Sequence, residues 1–224
     1  MWFYFRLNKV MIADNGDGKL FGVFGKDKSK IQFISLLTTD EVALPNLDEL
    51  LNTVDPAKRA ALLKAAAAGV ASSVIFTPID GIKDKSEITF GDTGKILYQS
   101  KTIPESLNWE LICVKLNKTD RDLGTELLGV VNDEKFDGFA SDFPKLMGKA
   151  VPTPYTAGVE IGKFVLKAFL GHLANKKDKQ LGMLETSYIR QIDYKHGNRE
   201  GVGVQDETRN LRIDYSILGS EDPS

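Results

Sequence analysis

A single cysteine, Cys113, and two histidines are present among the 224 residues. One cysteine excludes an intrachain disulfide and any multi-cysteine zinc site, and it suits a reducing compartment. The histidines, His172 and His196, form no His-Glu-x-x-His pair, and no Gly-x-Ser-x-Gly elbow occurs, so two common hydrolase signatures are missing. No stretch reaches the roughly 18 uncharged apolar residues that a membrane-spanning helix requires. Nor is there an excess of positive charge, since 29 Lys and Arg stand against 31 Asp and Glu for a net charge of -2. Nucleic-acid binding through a positive field is therefore not expected. The first dozen residues are interrupted by Arg6, Asn8 and Lys9 and do not read as a signal peptide, which makes the cytoplasm the expected location.

What is present reads as a folded, β-rich chain. Hydrophobic residues make up 42% and charged residues 27%, with 20 Gly and 8 Pro, an ordinary globular composition. The length fits one elaborated domain over residues 1–224. Residues 2–12 form an aromatic-rich strand with Phe3, Phe5, Leu7 and Met11 on one parity, ended by Asp14-Asn15-Gly16-Asp17-Gly18. Leu20–Phe24 and Lys30–Leu37 read as the next strands of a meander, joined through the polar turn Gly25–Lys28.

The period then changes to that of a helix. Asp55-Pro56 supplies a cap and a first-turn proline for an alanine-rich helix to Ser72, the core of a helical insertion over about 46–72. Strands resume at Val74–Thr77, Ile96–Gln99, Trp109–Leu116 and Leu123–Val131. A second helical insertion spans about 133–173, where Ile161, Val165, Phe169 and Leu173 form a buried stripe. The closing segment alternates Leu211, Ile213, Tyr215 and Ile217 with polar residues, a half-buried strand. Strands at both ends with helices between them predict a mainly β antiparallel sandwich with helical insertions, an α+β arrangement being the alternative.

Five segments invite a chemical reading. The loop at Asp14 and Asp17 gathers the oxygens and glycines that a hard divalent cation prefers, although Ala13 and Phe24 stand where an EF-hand would place ligands. Gly91-Asp92-Thr93-Gly94-Lys95 lacks phosphate-loop spacing and reads as a hairpin turn. Gly197–Asn210 reads as a long polar loop between two strands. Asn117-Lys118-Thr119-Asp120-Arg121-Asp122-Leu123-Gly124 and Asn175-Lys176-Lys177-Asp178-Lys179-Gln180-Leu181-Gly182 share a pattern that ends in Leu-Gly, as a weak duplication or a shared turn would. His172 falls late in a helix, where it is expected to face the last carbonyls.

Trp109-Glu110-Leu111-Ile112-Cys113-Val114 followed by Asp120-Arg121-Asp122-Leu123-Gly124 resembles the strand, acidic loop and Gly-containing strand of synaptotagmin- and protein kinase C-type domains, over about residues 109–131. The resemblance implies an eight-stranded sandwich that binds calcium and phospholipid. It would place Asp120 and Asp122 in a calcium loop, joined by Asp14 and Asp17. The basic residues Lys118, Arg121, Lys176, Lys177 and Lys179 beside these acids would weaken a cation site and favour an anionic membrane surface or an acidic partner. The expected function is accordingly a non-catalytic binding or interaction module responsive to calcium or lipid. A structural subunit that docks on a protein partner or on itself through an edge strand, and a hydrolase using converging carboxylates, are the alternatives.

Overall fold

The computed structural model describes residues 2–16, 29–41, 44, 47–118, 121–133, 136–148 and 153–220. Strand β6 (Ser106–Lys115) carries apolar residues on both parities and is buried along nearly its whole length. Leu107, Trp109, Leu111 and Cys113 enter one core, whereas Ile112 and Val114 enter another. Such a strand is stable only when both faces of its sheet are covered. It pairs antiparallel with β2 (Ser29–Thr39) and β7 (Lys179–Ile189), and β2 pairs with β3 (Ile75–Ile82), giving an inner sheet of order β3-β2-β6-β7.

The outer sheet is built on β1 (Trp2–Ile12), with β9 (Leu211–Ser220) and then β8 (Arg199–Gln205) on one side. On the other side lie β4 (Ser86–Thr89) and β5 (Lys95–Ser100). Burial alternates along β1 and β9, so one face packs and the other meets solvent. Phe3, Phe5 and Leu7 point inward, but a bulge between Leu7 and Lys9 then hands the inward positions to Val10 and Ile12. Strict parity wrongly grouped Met11 with the phenylalanines, because one inserted residue exchanges the faces of everything after it.

Between the sheets the rings of Phe5, Trp109 and Tyr215 pack together. Phe5 and Trp109 lie 4.8 Å apart, and Tyr215 is 5.5 Å from each. The indole N–H of buried Trp109 donates to Ser35 Oγ at 2.9 Å, which removes the cost of burying a polar group.

On the far face of the inner sheet lie α2 (Pro56–Ser72), α3 (Leu123–Asn132), α4 (Phe136–Met147) and α5 (Pro154–Asn175), with the short α1 (Leu47–Asn52) joining them through Leu50. The single turn α6 (Arg190–Asp193) follows β7. Asp55 caps α2 by accepting from Ala57 and Lys58, and Thr153 caps α5 in a reciprocal box with Thr156. Gly162 lets α5 approach β2, since a Cβ there would sit 2.8 Å from Leu36 Cδ2. The architecture is thus a mainly β antiparallel sandwich with helical insertions, and the helices form a third layer on the inner sheet.

Three further expectations need correction. Leu123–Val131 is the helix α3, not a strand: Asp122 caps it at Thr125, and Leu123, Leu127 and Val131 share its buried face at four-residue steps. The segment Gly91–Gly94 closes no hairpin, because β4 and β5 both pair with β1 and form one interrupted edge. Half of Gly197–Asn210 is strand β8. Its remainder is a tight turn held by buried Asp206, whose carboxylate accepts from the backbone N–H groups of Leu211, Met183 and Thr208 at 2.7, 2.9 and 3.2 Å. The expected strand Leu20–Phe24 and the turn after it lie outside the described residues.

Tyr215 is clamped among aromatic rings, and a Cβ at Gly201 would lie 2.0 Å from its Cε1. Gly201→Ala is therefore expected to cost about 3 kcal/mol in urea unfolding, the upper range for an overpacked core. Gly69→Ala in α2, where a Cβ meets nothing within 4 Å, should instead stabilise by up to about 1 kcal/mol through helix propensity.

Candidate functional site

The two look-alike segments ending in Leu-Gly meet in space, yet their geometries differ. The first leaves β6 and enters α3, and the second leaves α5 and enters β7. Asn117 of the first donates its backbone N–H to Asp178 Oδ1 of the second at 2.8 Å. Arg121 completes the joint: its Nε donates to Glu126 Oε1 at 2.7 Å, a second nitrogen meets Glu126 Oε2, and its remaining arm is paired with Asp178. His172 Nε2 lies 3.0 Å from Glu126 Oε2. His172 thus reaches across to α3. The expectation that it faces the last carbonyls missed this, because the partner is 46 residues away.

The joint sets one guanidinium against two carboxylates. The Asp178 side chain is wholly buried, and those of Arg121 and Glu126 are 11% and 24% exposed. Hydrogen bonding from Arg121 holds the Glu126 carboxyl at about 2, below the usual carboxylate range, against the upward pull of burial. The same partners hold the Arg121 guanidinium above its ordinary value, the Glu126 hydrogen bond contributing most.

This network separates two clefts. One, of about 450 Å³, lies between α3 and the β2–β3 edge and is lined by Lys30, Gln32, Phe76, Pro78 and Arg121 among others. The other, of about 480 Å³, lies between α3 and α5. Its apolar wall is Val130, Phe136 and Phe164, and its floor on α5 is Ala168, Gly171 and Ala174 at three-residue steps, side chains too short to close the gap to α3. Phe164 is fixed there by parallel stacking on Phe139 at 3.7 Å and by the edge of Phe136 at 4.9 Å. His172 and Asn175 supply polar groups where α5 ends, and Asp133 lies on the opposite side at the end of α3.

Of the residues singled out for calcium, Asp14 accepts from the backbone N–H of Gly16 at 2.7 Å, closing its own turn. Asp122 accepts from the N–H of Thr125 at 3.1 Å and from its hydroxyl at 2.7 Å as the cap of α3, and those bonds lower its pKa. Asp17 and Asp120 lie outside the described residues. Among the described residues no group of three or more His, Cys, Asp or Glu is gathered as a metal site would need. The acidic loop also leads into a helix where the calcium- and phospholipid-binding domains have a strand. Cys113 is fully buried, which pushes its thiol pKa up.

The sequence reading missed Glu126 as the partner of Arg121 and passed over the Ala168–Gly171–Ala174 series, the signal for a shallow helix face. No protein-family model matches the chain, and no curated protein shows significant similarity to it.

A carboxyl held low when folded stabilises the fold above its unfolded value, and that stability is lost as pH falls toward the folded one. For Glu126 the window runs from about 4.5 down to about 2. Arg121→Met should lower stability at pH 7 by about 3 kcal/mol, since it strands buried Asp178. It should also flatten the Glu126 contribution in that window, as read by urea unfolding across pH.

Proposed function

We propose that this chain is a non-catalytic binding module whose ligand, a small molecule with an apolar body and a hydrogen-bonding head, occupies the cleft between α3 and α5. The cleft lining carries this reading. Stacked phenylalanines and short aliphatic side chains form its body, and His172 and Asn175 supply polar groups at one end. Its volume of about 480 Å³ is within the range of sites that enclose small ligands. Acyl chains and aromatic compounds share the required chemistry, and the body contributes affinity while the polar end selects orientation. His172 is positioned for this by Glu126, which Arg121 in turn fixes.

Calcium has no part in this reading, since the described Asp14 and Asp122 carboxylates are engaged by donors of their own turn and helix cap. The apolar wall also gives a ligand a reason to bind without any bond being broken.

The test uses the dye 1-anilinonaphthalene-8-sulfonate with decanol and decanoate as competitors. A Cβ at Gly171 meets nothing within 4 Å, so Gly171→Leu fills the cleft while improving helix propensity by up to about 1 kcal/mol. Wild-type protein should bind the dye and release it to a competitor, and Gly171→Leu should bind at least about tenfold more weakly with its Tm maintained. Equal dye binding by the variant would overturn the assignment, as would wild-type protein that binds neither dye nor competitors.

A further inference from the structure

Glu110 is the one charged residue in the centre of β6, and only 2% of it is exposed. Its side chain faces the helical layer, since its neighbours Trp109 and Leu111 both enter the core between the sheets. Its Oε1 has no hydrogen-bond partner among the described residues. A buried carboxylate oxygen without a donor is costly when charged and tolerable when it carries a proton. By contrast, the equally buried Asp206 has donors at both side-chain oxygens, from backbone N–H groups and the Thr208 hydroxyl.

The surroundings of Glu110 sharpen the contrast. In the strand register it stands opposite Glu185 of β7 on one side and Leu36 of β2 on the other. Lys163 of α5 pairs with Glu185 at 2.6 Å, and those two side chains are 38% and 32% exposed, a half-exposed ion pair beside the buried acid. Glu160, one turn earlier on α5, adds a further negative charge. Tyr155, nearer the start of α5, is hydrogen bonded to Ser187 of β7. Ionised Glu110 would therefore put three carboxylates about one ammonium in the layer between α5 and the sheet. Burial first, and then repulsion from Glu185, push the Glu110 carboxyl up to about 7.

We propose that the N-terminal half of α5 is a pH-operated latch, seated on the inner sheet by a proton held on Glu110 and released when that proton leaves. The proton passes to solvent when the helix lifts, and no other reactant is needed. The Lys163–Glu185 pair is the hinge side of the latch, because it joins the same stretch of helix to the edge strand β7.

A carboxyl held high in the closed state and ordinary in the open state makes opening release a proton between those two values. Opening therefore becomes easier by about tenfold per pH unit from about pH 4.5 to about 7 and is constant above that. Amide hydrogen exchange of the full chain measures this directly. Protection factors for residues 155–166 should fall with that slope in wild-type protein and stay level in Glu110→Gln. A pH-independent wild type would overturn the latch, as would an equal slope in Glu110→Gln. A matching fall at Ile34 and Ile112 with the same opening free energy would also overturn it, since it would mean unfolding of the whole core. Should Glu110→Gln not fold, Glu185→Gln decides: loss of the neighbouring charge should move the level region to lower pH, and an unmoved profile overturns the proposal.

Discussion

The inner sheet is covered on both faces, and most of the other features accommodate that condition. Its central strands must present apolar side chains on both parities, which Trp109 to Val114 do with Glu110 as the single charged exception. One face is met by the outer sheet through the Phe5, Trp109 and Tyr215 cluster, and the other by α2, α3 and α5. Neither cover is sufficient alone: without the helices Ile34, Leu36, Ile112 and Val114 would face water, at roughly 2 kcal/mol for each large side chain. The helices are therefore structural parts of the sandwich.

That condition also explains which parts of the fold were legible in the sequence. β9 could be read from strict alternation, because its sheet has one wet face; α2 and α5 could be read from a proline at the first turn and a four-residue apolar stripe. Leu123–Val131 was misread because Leu-Leu-Gly-Val-Val has strand-like composition, and the aspartate cap that decides the matter is one residue among several acids. The bulge after Leu7 and the interruption between β4 and β5 depend on pairing partners about 80 to 200 residues away, which no local pattern records. The candidate sites were less legible still. Arg121 and Asp178 are 57 residues apart, and only the fold makes them one network.

Polar groups inside the molecule fall into two kinds. Asp178 and Asp206 are buried with their donors in place, and each fixes a junction between elements: Asp178 joins the end of β6 to the start of β7, and Asp206 joins β9 to β7. Trp109 belongs with them through its bond to Ser35. Such groups specify one arrangement because displacing any partner exposes an unsatisfied atom. Glu110 is of the other kind, buried beside like charge with an oxygen unpaired among the described residues. A group of that kind does not fix an arrangement. It makes the arrangement depend on solution conditions, since protonation is the remaining way to lower its energy.

Both features that depart from plain packing lie along α5. At 22 residues it is about 33 Å long from its rise per residue. Its first half lies over Glu110, and its last three turns form the floor of the cleft beside α3. Gly162 lies within that first half, against Leu36 of β2. The far end of the helix is anchored by Phe169 and Leu173, which are buried in the core shared with the other helices. Phe164, next to Lys163, stands both in the first half of α5 and in the apolar wall of the cleft, so it is through Phe164 that the seating of that half bears on the cleft.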